Sequence, residues 1–289
     1  MHLIKALLLC TFCFSVNVLA ADDALALRDK YTSLTSQLKT NQFKRPLYLE
    51  SSESPTSLKG DIYAVLDYPF ASVNKALNDP ELGPQNWCDV LILHINTKYC
   101  HANTSPKGTV LNVNIGKKIE QELSDAYRVE FNYKPISSSS TEYFQVDLTA
   151  DTGPLGTKDY QIVVEAVAIS GNRTFLHLTY AYSYGLTGRM AMKTYLATIG
   201  SGKVGFTTTD GTNYISGVRG VVERNTFRYY LAIDAYLNAL SSAPDKRVEQ
   251  RLNNWFNATE QYPKQLHELS LKEYLDMKYK EIERQKTAQ

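Results

Sequence analysis

The stretch from Val110 to Tyr184 constrains this chain more than any other, because it reads as successive strands joined by very short links. Val110-Leu-Asn-Val-Asn-Ile-Gly-Lys alternates apolar with polar residues. Tyr127-Arg-Val-Glu-Phe-Asn-Tyr133 alternates more cleanly and puts Tyr127, Val129, Phe131 and Tyr133 on one face. Period-two alternation is the mark of a half-buried strand. Tyr143–Leu148, Tyr160–Ile169 and Arg173–Tyr184 follow, separated by turn signals at Ser137 to Ser140, Gly153-Pro154 with Gly156, and Ser170-Gly-Asn172. Links this short allow antiparallel neighbours in a meander and leave no room for crossovers. The strand-like reading extends to about residue 220, with Gly185-Leu-Thr-Gly188 and Gly200-Ser-Gly-Lys-Val-Gly205 taken as turns.

Helical patterns flank this block. Leu27, Tyr31, Leu34 and Leu38 fall at three- and four-residue steps and predict an amphipathic helix over residues 24–38. Pro46 to Ser52 and Gly60 to Tyr68 read as two strands. Pro69 ends the second and starts a helix with Phe70, Val73 and Leu77 on one face. A short helix is predicted through Asn86–Leu91, and Leu91–Lys98 reads as extended. Glu223–Leu240 is the strongest helix, apolar around most of its girth, so it must be covered on more than one side. Beyond Pro244, Val248, Leu252, Trp255 and Phe256 mark another helix. Ser270-Leu-Lys-Glu273 is a capping-box signature for a last one, whose charged tail from Lys278 reads as frayed.

The segment Leu58-Lys-Gly-Asp-Ile-Tyr-Ala-Val-Leu-Asp-Tyr-Pro-Phe-Ala-Ser-Val-Asn-Lys-Ala-Leu77, with Trp87 after it, resembles the START-like superfamily, also called SRPBCC or helix-grip. The resemblance covers about residues 45–240. It implies an α+β fold in which a curved antiparallel sheet wraps a long C-terminal helix and leaves a cavity between them. On that reading residues 21–240 form the helix-grip domain, including the N-terminal helix 24–38. Residues 241–289 form a helical extension, able to cap the cavity or dock a protein partner through residues 244–289.

The N-terminus carries its own signal. A basic start, an apolar run over residues 6–18 and a small-residue site at Val18-Leu19-Ala20 read as a cleaved signal peptide, residues 1–20. The run is too short to span a bilayer, which takes roughly 20 apolar residues, and no longer run follows. The expected product is exported, periplasmic or secreted. Cleavage near Ala20 removes Cys10 and Cys13 and leaves Cys88 and Cys100, a pair expected to form one structural disulfide in an oxidising compartment. Lys and Arg total 31 against 30 Asp and Glu, and loss of Lys5 makes them equal. A balanced chain without charge blocks gives no case for nucleic acid or an anionic membrane surface. Three Asn-X-Ser/Thr matches, at Asn103, Asn172 and Asn257, are read as chance occurrences, because the signal end has a bacterial style.

Catalytic motifs are sparse. His94, His101, His177 and His267 show no metal spacing, and no GxSxG elbow or phosphate loop is present. His177 shares a strand face with Phe175, Thr179 and Ala181, opposite Leu176, Leu178, Tyr180, Tyr182 and Tyr184, and reads as a structural histidine. The strand carboxylates Asp61, Asp67, Glu130, Asp147 and Glu165 are expected mostly on the solvated face. Arg224 and Arg228 share a helix face with Arg219 nearby, and read first as a surface cluster or a pair of ion bridges, with binding of an anionic ligand head as the alternative. No metal or other cofactor is expected. With 20 tyrosines concentrated in strands, the expected function is binding or carriage of a hydrophobic or amphipathic small molecule, lipids included. Tyr180, Tyr182, Phe227, Tyr230, Tyr236 and Arg224 are the candidate lining. The alternatives are a periplasmic scaffold docking through its last helices, or an enzyme of the same fold such as a cyclase, aromatase or hydrolase.

Overall fold

The computed structural model describes residues 14–139, 142–198, 200–209 and 211–287. Most of the expected signal peptide, with Cys10 and Cys13, lies outside the described residues. The helices α1 (Phe14–Ser33) and α2 (Thr35–Lys39) open the chain. They occupy the predicted 24–38 helix, which breaks at Leu34, where ψ is 3°. Next come β1 (Leu47–Glu53), β2 (Ser57–Leu66), α3 (Phe70–Asn78) and α4 (Gly83–Leu91). The strands β3 (Thr97–Ser105), β4 (Gly108–Ile115), β5 (Tyr127–Ser139), β6 (Tyr143–Thr152), β7 (Thr157–Ile169) and β8 (Arg173–Tyr184) follow. The chain closes with α5 (Leu186–Ala197), α6 (Gly217–Ala239), α7 (Arg247–Thr259), α8 (Pro263–Leu266) and α9 (Leu271–Thr287).

The strands form one sheet in the order β1-β2-β8-β7-β6-β5-β4-β3, and every neighbouring pair is antiparallel. The meander predicted from the short links is present. β2 pairs with the last strand, β8, so the chain's first long strand lies beside its last. Register shifts between Thr97 and Tyr99, between Ile136 and Ser139, and between Lys158 and Gln161 interrupt the ladders. Such irregularities bend strands and help the sheet curl.

Alternation sorts side chains between two cores. On the concave side Leu58, Ile62, Ala64, Leu176, Leu178, Val164 and Leu148 pack with Phe227, Leu231, Ile233 and Tyr230 of α6. On the convex side Ala24, Leu27, Leu34 and Leu38 pack on Tyr63, Val65, Tyr143, Val167 and Phe175. Residues Val222 to Ile233 of α6 are buried apart from Asn225, as an all-round apolar helix requires. α3 and α4 close one end of the sheet: Trp87 is buried and donates from Nε1 to the Leu77 carbonyl at 2.9 Å. The Cys88–Cys100 disulfide ties α4 to β3.

Several expectations need correction. Leu91–Lys98 is not extended: α4 reaches Leu91, tight turns follow, and β3 starts only at Thr97. The strand-like reading from residue 185 to 220 fails, because α5 occupies Leu186–Ala197 and an irregular loop leads to α6. Gly200–Gly205 is part of that loop, just before the isolated Thr208–Tyr214 bridge. The tail from Lys278 is not frayed. Lys278 and Glu281 are buried, and α9 runs along the β3 edge, where the Cys100 N–H donates to Gln285 Oε1 at 3.0 Å. An uncovered edge strand invites pairing with other chains, so a covering helix is a physical remedy. The Ser270/Glu273 capping box is formed reciprocally at the start of α9. α7 and α9 contribute Leu252, Trp255, Tyr274 and Met277 to the concave core. Among the described residues no helix is long and apolar enough to cross a membrane.

Candidate functional site

Between β7–β8 and α6 lies a cavity of about 260 Å³. One wall is aromatic. Tyr160, Tyr180 and Tyr182 project inward from alternate strand positions, and Tyr229 comes from α6. Tyr160 stacks on Tyr182 with ring centroids 5.1 Å apart, and Tyr180 meets Tyr229 at 5.2 Å. Burial raises the pKa of each of these hydroxyls, so all four are neutral. The opposite side is closed by α5 through Gly188, Ala191, Met192 and Tyr195. A Cβ at Gly188 would press on the Tyr184 side chain, so only glycine lets α5 approach β8 this closely.

The remaining wall is polar and carries positive charge from Lys118, Arg224 and Arg228, with His94 beside them. Arg228 is 1% exposed and pairs with Glu268 at 2.8 Å, and Lys118 and Lys203 pair with the same carboxylate. Burial would raise the Glu268 pKa, but Arg228 and Lys118 outweigh it and hold the group ionised. Arg224 is also 1% exposed, and its guanidinium donates to the Val204 carbonyl at 3.1 Å. Among the described residues no carboxylate pairs with it. Burial likewise opposes ionisation of Tyr195, yet the charges of Lys118 and Arg224 bring its pKa below the usual tyrosine value. The Lys118 ammonium donates to its hydroxyl at 3.3 Å.

His94 is fully buried on this wall. Burial, then the charges of Arg228 and Lys278, push its pKa well down, so the ring is neutral. Its Nδ1 accepts from the Asn96 N–H at 3.2 Å, which places the proton on Nε2. The ring stacks on Tyr229 with centroids 4.7 Å apart. Among the described residues Nε2 has no hydrogen-bond partner, and neither has Arg228 Nε.

Of the six candidate lining residues, Tyr180, Tyr182 and Arg224 face this cavity. The other three lie elsewhere on α6. Phe227 stacks on Phe206 at 4.3 Å and packs against Phe43. Tyr230 lies near Arg45 and Asp234, and Tyr236 near Asp89 and Arg251. The arginines do not form the expected surface cluster, since Arg224 and Arg228 are buried on α6; the expected ion bridge is present for Arg228, which pairs with Glu268. Only Arg219 sits outside, where its Nε donates to Ser51 at 2.8 Å. His94, Lys118 and Tyr195 were not among the sequence candidates. Tyr160 had a signal, as the first residue in phase with Ile162 and Val164; the other three had none.

The convex face holds a second polar cluster. His177 bridges Glu165 at 2.7 Å and Asp61 at 2.9 Å, and its ring stacks on Tyr63 at 4.1 Å. It is a satisfied structural histidine. Asp61 is buried, contrary to its expected place among solvated carboxylates. Among the described residues no three His, Cys, Asp or Glu side chains are placed to hold a metal. A larger groove of about 680 Å³, lined by Glu53, Pro55, Arg189, Lys193 and Arg219, has exposed charged walls.

No protein-family model matches the chain, and no curated protein sequence matches it. Among solved structures, a truncated norcoclaurine synthase from Thalictrum flavum is similar at 13% identity and TM-score 0.32, over 52% of this chain and 98% of that one. Ara h 8.0201 is similar at 10% identity and TM-score 0.33, over 67% of this chain and 99% of its own. The di-domain ARO/CYC BexL is similar at 12% identity and TM-score 0.31, and this chain spans 59% of it. The strand order, the antiparallel register and the enclosed α6 make this a helix-grip fold, an antiparallel sheet wrapped around a long helix near the C-terminus.

Proposed function

We propose that this is an exported binding or carrier protein, periplasmic or secreted, that holds a hydrophobic or amphipathic small molecule between β7–β8 and α6. The observation that carries the reading is the aromatic wall of Tyr160, Tyr180, Tyr182 and Tyr229 facing a few buried polar groups. Apolar walls with a few placed polar groups are what small-molecule sites look like. A volume of about 260 Å³ falls just under the roughly 300–1,000 Å³ of drug-sized sites. That favours a compact, ring-sized guest over a two-chain lipid. Export is supported by the N-terminal pattern and by the Cys88–Cys100 bridge, which forms readily in oxidising compartments.

Native mass spectrometry of protein purified from its own host tests the binding reading. A single co-purifying adduct is the expected result. Repeated absence of any adduct, with no uptake of fluorescent hydrophobic probes, overturns it. N-terminal sequencing of the mature protein from fractionated cells should give Ala21 in the exported fraction; an intact Met1 in the cytosol removes the export claim.

A second reading, an enzyme of the same fold, is favoured by one feature. Tyr195, its pKa lowered beside Lys118, faces the cavity together with the neutral His94, a combination suited to proton transfer. Incubating the released guest with fresh protein separates the two. Recovery of the guest unchanged supports carriage, whereas conversion that is lost in Tyr195→Phe supports catalysis.

A further inference from the structure

Resting on the binding reading above, we propose that the cavity selects an organic anion. The guest would be a compact aromatic monocarboxylate, its head group against Arg224 and His94 Nε2 and its ring on the tyrosine wall.

Three observations converge on this. Arg224 is 1% exposed, yet among the described residues its guanidinium is matched by the neutral Val204 carbonyl and by no carboxylate. A buried charge normally has a counter-charge, because desolvation makes an unmatched ion expensive. Around it the positive charges outnumber the buried carboxylates: Lys118, Arg228 and Lys203 share that of Glu268, and that of Glu223 is held by Ser51, Thr207 and the Phe206 N–H. The polar wall therefore carries net positive charge in a low-dielectric space, where an anion is attracted far more strongly than in water. Finally, the His94 ring lines the cavity, and its Nε2 carries a proton, is buried and has no hydrogen-bond partner among the described residues; Arg228 Nε is likewise buried and unmatched. Unsatisfied buried donors are rare enough in folded proteins to need a reason. A carboxylate, with two oxygens and about four lone-pair sites, can accept from a guanidinium and an imidazole N–H together.

The body of the guest follows from the other walls. Tyr160, Tyr182, Tyr180 and Tyr229 present stacked and tilted ring faces, suited to an aromatic plane. An inorganic anion would satisfy the charges but leave these faces unused.

The test is calorimetric titration of the full-length mature protein with 2-naphthoate, its neutral isostere 2-naphthamide, and sodium sulfate. We expect 2-naphthoate to bind at least tenfold more tightly than 2-naphthamide, with sulfate weaker than both. In Arg224→Gln the carboxylate should lose at least tenfold while the amide is unchanged. Equal or tighter binding of the amide to the native protein overturns the proposal and leaves the carrier reading standing. Sulfate as tight as naphthoate also overturns it, since the aromatic walls then add nothing. Binding of neither naphthalene compound, in protein that also carries no host adduct, sinks both readings. If Arg224→Gln does not fold, the carboxylate–amide comparison on native protein still decides, with His94→Gln as the second variant.

Discussion

The Lys278 ammonium lies 2.7 Å from the Glu281 carboxylate one turn further along α9, and both side chains are buried. Lys278 also donates to the carbonyls of His94 and Thr97, both at 2.8 Å, while Tyr274 donates to the Leu93 carbonyl at 2.9 Å. α9 thus fixes the turn that carries His94 into the cavity wall. The last helix supports the site without touching it.

Lys278→Met should therefore be costly. It takes the ammonium away from the His94 and Thr97 carbonyls, the first of which keeps the Thr97 N–H at 2.9 Å, and disturbs a buried ion cluster, a loss of about 3 kcal/mol. Burial pushes the Lys278 pKa down to about 8 from 10.5, so between those values the unfolded chain binds more protons than the folded one. Stability from this group rises with pH across that window. Urea unfolding of the native protein and the variant at pH 8 and pH 9.5 should show the gap widening with pH. Parallel curves would count against a lowered Lys278 pKa in the fold.

Cys88 and Cys100 are 12 residues apart and both buried. Closing so short a loop removes denatured-chain entropy worth about 3 kcal/mol. The double variant Cys88→Ala/Cys100→Ala should unfold at lower urea by that amount, and reductant should have no further effect on it. An unchanged midpoint would mean that the bridge contributes nothing beyond the packing of α4 on β3.

Much of the sheet was legible because a strand writes its two faces into alternate residues. Arg173–Tyr184 declared Leu176, Leu178, Tyr180, Tyr182 and Tyr184 on one side and Phe175 and His177 on the other, and the two cores divide that way. α5 was not legible. It opens on Gly-Leu-Thr-Gly, leaves Leu186 and Met190 exposed, and buries only Gly188 fully, so no strong periodicity marks it. The shared face of Arg224 and Arg228 was readable from their spacing, but their burial was not. The partner that permits burial of Arg228, Glu268, stands 40 residues beyond it. His94 and Lys118 lie on connecting segments whose positions depend on α9 and Glu268, and local sequence holds no trace of that.

The pair formed by His177 and Glu165 should govern stability near neutral pH. Burial disfavours the imidazolium, but hydrogen bonds to Asp61 and Glu165 outweigh it and raise the His177 pKa above 6.5. A raised folded value means that the contribution is complete below pH 6.5 and is lost as pH rises through the folded pKa. Asp61 is shifted the other way, since its hydrogen bonds to His177 and Thr179 overcome burial; its contribution is lost as pH falls below 3.8 through its folded value. His177→Gln should flatten the alkaline limb. Midpoints of urea unfolding at pH 6 and pH 8.5 should differ in the native protein and converge in the variant, and an unchanged difference would remove His177 as the cause.

Gly60 sets how closely the sheet approaches its helix. It is buried on β2, pairs across to Tyr180 on β8, and faces Thr226 of α6, whose hydroxyl donates to the Val222 carbonyl at 2.8 Å. A Cβ at this position would overlap Thr226 Oγ1. Gly60→Val must push α6 outward or displace the neighbouring strand, an overpacking cost of about 1–3 kcal/mol. Gly60→Ala should lie between the variant and the native protein. Because Tyr180 and the residues just before Thr226 belong to the cavity wall, the same displacement should weaken 2-naphthoate binding in step with the loss of stability. A Gly60→Val protein with native urea midpoint and native affinity would show that helix and sheet are not held at contact distance here.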